Sequence, residues 1–61
     1  IKNIVEQSSK ALKRGGILII EHGYQQQDEV EETFKKNKFT KIINLKDFQL
    51  LPRITIGILE R

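Results

Sequence analysis

Apolar and polar residues recur along the chain with periods that predict two helices. Residues 1–14 place apolar side chains at helical spacing, and a Gly-Gly pair that can end a helix follows at positions 15 and 16. Residues 27–37 carry acidic side chains in their first half and lysines towards their end, which complements the dipole of a helix. We therefore predict helices over residues 1–14 and 27–37.

Three further segments have the apolar content of strands. An unbroken, isoleucine-rich run makes residues 17–21 a strand that we expect to be covered on both faces. Residues 39–46 and 54–59 alternate in a way that predicts two more strands. The link over residues 47–53 is too short for a parallel crossover, which needs about a dozen residues, so the last two strands should be antiparallel. The preceding strand–helix–strand unit should be parallel and right-handed.

The predicted order is therefore α-β-α-β-β, which is an α/β fold. A strand covered on both faces needs neighbours at both edges, because an open apolar edge invites aggregation. The chain offers few strands that could be those neighbours, and it begins with Ile1 instead of methionine. We expect residues 1–61 to be the carboxyl-terminal fragment of a larger α/β domain whose first strands lie upstream.

Composition narrows the classes of function. The 61 residues suffice for one small domain, and 11 basic against 8 acidic residues give a net charge of only +3. The chain has no cysteine, which excludes disulfides and thiolate metal sites within it and fits a reducing compartment. Its longest apolar run is far shorter than the roughly 20 residues of a membrane span, and no export leader opens it. We expect a cytoplasmic protein without membrane or metal partners.

A polar cluster at the carboxyl end of the first predicted strand is the candidate site, and its sequence is Glu21-His22-Gly23-Tyr24-Gln25-Gln26. In open α/β sheets, ligands bind beyond the carboxyl ends of the strands. A carboxylate beside an imidazole at that position could transfer a proton or orient a substrate amide. The alternative is structural: Glu21 caps the turn, His22 is half exposed, and Gly23 only turns the chain.

Other kinds of site find less support in the sequence. A lone histidine without cysteine does not make a convincing metal site, and Ser8 and Ser9 lie within a predicted helix without a neighbouring base. Basic side chains could contact phosphates, but aromatic residues do not interleave with them as stacking platforms do. These basic residues are Lys35, Lys36, Lys38, Lys41 and Lys46. Nucleic acid is therefore not the expected partner, and a small autonomous basic binding module is kept only as an alternative.

Two segments carry a resemblance to a known family. Residues 16–26, Gly-Ile-Leu-Ile-Ile-Glu-His-Gly-Tyr-Gln-Gln, and residues 53–57, Arg-Ile-Thr-Ile-Gly, resemble the carboxyl-terminal end of the HemK-type methyltransferases. Enzymes of this family use S-adenosylmethionine to methylate the side-chain amide nitrogen of a glutamine in peptide chain release factors. The resemblance implies the Rossmann-like sheet of class I methyltransferases. In that sheet, residues 17–21 would be the fifth strand, 39–46 the sixth, and 54–59 an antiparallel seventh inserted between them.

The resemblance also implies which functions lie outside this chain. The family's glycine-rich cofactor loop, acidic ribose-binding residue and Asn-Pro-Pro-Tyr motif all lie upstream, so S-adenosylmethionine would be bound there and the chain alone would be inert. No catalytic, cofactor-binding or metal-binding residue is therefore assigned here. Glu21, His22, Gln25 and Gln26 would border the side that faces the release factor.

One loop departs from the family pattern. Residues 49–52 are Gln-Leu-Leu-Pro, whereas family members often have a more polar, glycine-containing loop before the last strand. The connection between the last two strands is therefore expected to differ. Another class I methyltransferase, acting on nucleic acid or a small molecule, remains an alternative to the release-factor enzyme.

Overall fold

The chain forms a three-stranded sheet with two helices packed against one of its faces. The computed structural model describes residues 1–60. The elements follow one another as α1 (Lys2–Ala11), β1 (Ile17–Glu21), a short 3₁₀ turn (Tyr24–Gln26), α2 (Gln27–Lys36), β2 (Phe39–Lys46) and β3 (Pro52–Leu59). The predicted α/β class is confirmed.

The last strand lies in the middle of the sheet. The strand order is β1-β3-β2, and β3 is antiparallel to both of its neighbours. It follows that β1 and β2 run in the same direction, with β3 inserted between them. The antiparallel pairing of the last two strands agrees with the length of the link between them, and the inserted position agrees with the resemblance.

Helix α1 is shorter than predicted. It ends at Ala11, and the next residue is already extended, with φ −78° and ψ 147°. The prediction of a helix through Arg14 is wrong because the backbone after α1 is drawn into the sheet. The Gly15 amide donates to the carbonyl oxygen of Leu59 at 2.7 Å, and the Leu59 amide donates to the carbonyl oxygen of Gly16 at 2.8 Å. Gly15 retains the left-handed conformation expected of a chain reversal, with φ 85°.

Two other boundaries differ slightly from the predicted ones. Helix α2 ends at Lys36, with Asn37 as its cap, whereas the prediction continued through residue 37. Strand β3 begins at Pro52, two residues before the predicted start at residue 54, because Pro52 is already paired with Lys46. Neither change alters which strands are neighbours.

The core lies between the sheet and the two helices. It consists of Val5, Ile20, Val30, Phe34, Phe39 and Leu59. The rings of Phe34 and Phe39 are tilted against each other with centroids 5.2 Å apart. Phe34 lies directly over the backbone of Gly57, where an added Cβ atom would be only 2.6 Å from its Cδ2 atom. A residue without a side chain is therefore required at Gly57 for this packing.

The opposite face of the sheet is not covered by any element of residues 1–60. Ile20 is 7% exposed, but Ile17 and Ile19 on the same strand are 59% and 62% exposed. The prediction that β1 is covered on both faces is therefore wrong for this chain, because both helices pack on the side of Ile20. Paired strands place one set of aliphatic residues on the uncovered side, which we call the open face: Ile17, Ile19, Ile43, Leu45, Ile54, Ile56 and Ile58.

Candidate functional site

The candidate site is the last residue of β1 and the turn that follows it, residues 21–26, which we call the His22 turn. It lies where β1 and β2 end and β3 begins, beyond the carboxyl ends of the two strands that run in the same direction. The Gln26 side chain closes it, because its Oε1 atom accepts a hydrogen bond from the Gly23 amide at 2.8 Å. The Gln26 amide in turn donates to the Gly23 carbonyl oxygen at 2.9 Å. The cap of this turn is thus Gln26, not the Glu21 of the structural alternative.

His22 is the buried residue of this turn, with only 6% of its surface exposed. The expectation of a half-exposed imidazole is therefore wrong. Its Nδ1 atom is 2.8 Å from the Gly23 carbonyl oxygen. A carbonyl can only accept, so Nδ1 carries a hydrogen and donates it. Its Nε2 atom is 2.7 Å from the hydroxyl of Thr55 in β3. Both ring nitrogens are thus engaged, and the backbone amide of His22 also donates to the carbonyl oxygen of Arg53 at 2.8 Å.

A series of hydrogen bonds, buried at His22 and partly exposed farther along, continues from His22 into the sheet and reaches helix α2. Thr55, which is fully buried, donates to Oδ1 of Asn44 at 2.7 Å. The Asn44 Nδ2 group donates to the carboxylate of Glu31. We call His22, Thr55, Asn44 and Glu31 the His22 network. No buried side-chain nitrogen or oxygen atom in residues 1–60 lacks a hydrogen-bond partner, so each buried polar atom of this network has at least one.

The other side chains of the turn face outward. Glu21, Tyr24, Gln25 and Gln26 are exposed. The Gln25 side-chain amide donates to the phenolic oxygen of Tyr24 at 3.2 Å. The guanidinium carbon of Arg53 is 5.4 Å from the centre of the Tyr24 ring, within the range of a cation–π contact. The turn therefore presents a carboxylate, a phenol and two amides to solvent.

The loop between β2 and β3 borders the same edge of the sheet. Asp47 accepts hydrogen bonds from the backbone amides of Gln49 at 2.8 Å and Leu51 at 3.0 Å, and from Nε of Arg53 at 3.2 Å. The Leu51 amide, followed by the Arg53 side chain, holds the pKa of Asp47 below its ordinary value of 3.8. The loop is therefore fixed at its base.

A shallow recess separates this loop from the His22 turn. Its volume is about 320 Å³, and it is lined by Glu21, Leu45, Lys46, Asp47, Arg53 and Ile54. Carboxylates, cations and apolar side chains all border it.

The remaining candidates do not assemble into sites. Within the described part of the chain, no group of three or more His, Cys, Asp or Glu side chains could hold a metal ion. The Ser9 hydroxyl donates to the backbone carbonyl of Glu6 at 2.7 Å, so it is engaged within its own helix. Neither helix of residues 1–60 is long and apolar enough to cross a membrane.

Sequence reasoning did not find the partners of His22. Thr55 is separated from it by 33 positions, and Asn44 lies in a third element. The only available signal was Thr55 itself, a polar residue within the otherwise apolar run Ile-Thr-Ile-Gly-Ile-Leu. Asp47 and Arg53 were likewise not singled out as the residues that organise the adjoining loop.

Comparison with curated proteins identifies similar sequences. The release factor glutamine methyltransferase of Pasteurella multocida (strain Pm70) is 40% identical over 57 residues, which cover 93% of this chain. The enzyme of the same name from Buchnera aphidicola subsp. Acyrthosiphon pisum is 42% identical over 57 residues, and that from Escherichia coli (strain K12) is 37% identical over 57 residues. The resemblance to release factor glutamine methyltransferases is confirmed.

The similarity covers only part of each relative. The chain spans 19% of the Pasteurella protein and 21% of the Buchnera and Escherichia proteins, and it corresponds to their C-terminal part. No family model matches the chain, and no solved structure matches it. The chain is therefore similar to about the last fifth of these methyltransferases.

Proposed function

We propose that this chain is the carboxyl-terminal part of a methyltransferase that uses S-adenosylmethionine to methylate a glutamine side-chain nitrogen in peptide chain release factors. The observation that carries the proposal is the alignment of 93% of the chain with the C-terminal part of proteins named release factor glutamine methyltransferase. Release factors would be its partners. The cytoplasm is the expected compartment, since a chain without cysteine fits a reducing environment.

The open face supports the proposal that the sheet is larger in the intact protein. Soluble monomers rarely expose a contiguous apolar surface of this kind unless something binds there. Strand β1 is paired only with β3 among the described strands, so its outer edge is also free for a neighbour. In the proposed class I sheet, β1, β2 and β3 would be the fifth, sixth and seventh strands, and upstream residues would supply the remaining strands and the second layer.

The methyl donor does not fit the residues of this chain. Gly15 and Gly16 are its only adjacent glycines, and the amides of both are already engaged, with the carbonyl oxygens of Leu59 and Lys13. They cannot form the cradle of free amides that holds an anionic cofactor group. We therefore assign S-adenosylmethionine, which supplies the methyl group when bound, to the upstream part of the intact protein.

The role proposed for this chain is to position the substrate. Transfer to an amide nitrogen depends on holding that nitrogen in line with the methyl group, and such positioning supplies a large part of the rate enhancement. The exposed groups of the His22 turn, Glu21, Tyr24, Gln25 and Gln26, would border the release factor at the carboxyl edge of the sheet. No residue of this chain is proposed to take part in the chemical step.

The proposal is tested by expressing the intact protein that the upstream reading frame encodes. It is incubated with radiolabelled S-adenosylmethionine and a purified release factor, and the labelled residue is mapped by mass spectrometry. We expect label on one glutamine, and no label when residues 1–61 replace the intact protein. Label on RNA or on a small molecule but not on the release factor would favour the other class I methyltransferases. An upstream region without a cofactor-binding segment would contradict the proposal altogether.

A further inference from the structure

The His22 network places polar groups where apolar ones would fit. Thr55 is fully buried in a strand whose other residues are aliphatic or glycine, apart from Arg53 near its start. Valine has nearly the same shape as threonine. Replacing both partners of a buried hydrogen bond by apolar groups of equal shape is often close to neutral in stability. We therefore ask what the Thr55 hydroxyl and the His22 imidazole contribute besides stability. Unlike an apolar contact, a hydrogen bond fixes the orientation of the groups that it joins.

The direction fixed here is that of the peptide between Gly23 and Tyr24. The ring bonds Gly23 through Nδ1 and Thr55 through Nε2, so these two contacts together with the bond to Cβ fix the plane of the ring. The carbonyl oxygen that accepts from Nδ1 also accepts from the Gln26 amide. Consequently, the orientation of the Gly23 carbonyl, and with it the start of the 3₁₀ turn, depends on where Thr55 holds the ring.

The contact between His22 and Thr55, which we call the anchor, influences where the exposed groups of the turn lie. Glu21 and Tyr24 flank the anchored residues His22 and Gly23, and both are exposed. Glu21 lines the recess, and Tyr24 contacts Arg53, which also lines it. Arg53 contacts Tyr24 from β3, the same strand that carries Thr55. Because Glu21 is held by its pairing with Ile54, a shift of the turn relative to β3 would change the position of the phenol relative to the carboxylate.

From this arrangement we infer that His22 and Thr55 are positioning residues for the binding of the release factor. They hold the His22 turn against the central strand so that Glu21 and Tyr24 contact the peptide segment next to the acceptor glutamine. The inference rests on the proposed function. It adds a role for two buried residues that touch neither the methyl donor nor the acceptor.

Threonine substitutions in the intact protein test the anchor. Thr55→Val removes the hydroxyl and keeps the shape, whereas Thr55→Ser keeps the hydroxyl. We expect Thr55→Val to raise the KM for the release factor roughly tenfold or more, as misplaced binding groups do, with the KM for S-adenosylmethionine nearly unchanged. Thr55→Ser should restore the KM. Thr33→Val is the matched control, because Thr33 is also buried but bonds Glu29 within α2, away from the turn.

Each outcome decides one question. An unchanged KM for the release factor in Thr55→Val, with only a lower melting temperature, would overturn the positioning role while leaving the proposed function intact. A similar rise in Thr33→Val would overturn it too, because the effect would then be general destabilisation. Failure of the unsubstituted protein to methylate any release factor would instead overturn the proposed function itself.

Two substitutions of exposed residues provide a second test if the Thr55→Val variant does not fold. Glu21→Ala and the control Glu32→Ala both remove exposed carboxylates, one on the His22 turn and one on α2. Glu21→Ala should raise the KM for the release factor several-fold, and Glu32→Ala should not. Equal KM values for the two variants would contradict the placement of the substrate beside the turn.

Discussion

The two faces of the sheet are both apolar, but only one of them is covered. On the covered face, Ile20 and Phe39 are 7% and 1% exposed, and the single buried threonine of β3 has hydrogen-bond partners. On the open face, Ile17 and Ile19 are 59% and 62% exposed. Full burial of one such side chain stabilises a protein by about 1.5–3 kcal/mol. The exposed isoleucines of the open face agree with the proposal that upstream residues add a second covering layer in the intact protein.

The largest effect is expected on the covered face. Phe34→Ala removes a fully buried ring that packs on Phe39 and over Gly57. We expect it to lower the free energy of unfolding of the intact protein by about 3–5 kcal/mol, because a cavity replaces the ring. Urea denaturation measures the loss. A change below about 1 kcal/mol would mean that the contact between α2 and the sheet is not as described.

A methyl group added on the same face should have a smaller but clear effect. The Cβ atom of Gly57→Ala would meet Phe34 Cδ2 at 2.6 Å and Phe39 Cβ at 3.2 Å. Overpacking of this kind lowers stability by about 1–3 kcal/mol. Gly23→Ala is the control, since its nearest neighbour is the end of the flexible Gln26 side chain at 3.2 Å. Equal melting temperatures for the two variants would contradict the tight packing at Gly57.

The smallest effect on stability is expected for Asp47, in the loop between β2 and β3 at the edge of the sheet. The lowered pKa of Asp47 means that the folded state favours its carboxylate, so the stabilisation is present at neutral pH and is lost as the pH falls below about 3.8 through the folded-state pKa. Asp47→Asn should therefore reduce stability slightly at neutral pH and not in strong acid. Urea midpoints over an acid titration measure this. A constant difference between the two proteins at every pH would contradict the role of the charge.

Local patterns predicted much of this fold, and long-range contacts explain what they missed. The run of isoleucines located β1, and the short link made β2 and β3 antiparallel. The end of α1 was misplaced because Gly15 and Gly16 bond Leu59, a residue at the far end of the chain. Such a contact leaves no trace in helical spacing.

For the candidate site, too, local patterns predicted one part and long-range contacts determined the other. The position of the turn after β1 followed from its place at a strand end. The burial of His22 did not, because it depends on Thr55 and, through it, on Asn44. The expectation that β1 is covered on both faces was wrong for residues 1–60 for a different reason, since α1 and α2 both pack on the side of Ile20 and no other element of these residues covers Ile17 and Ile19.

Two neighbouring residues of β1 test most directly whether the chain is part of a larger sheet. Ile20→Ala and Ile19→Ala are compared by urea denaturation of the intact protein, since Ile20 is buried by α1 and α2 and Ile19 lies on the open face. We expect losses of about 2–5 kcal/mol for both, because upstream residues would cover Ile19 there. A loss below about 0.5 kcal/mol for Ile19→Ala, beside a full loss for Ile20→Ala, is the size expected of a surface substitution and would contradict the account.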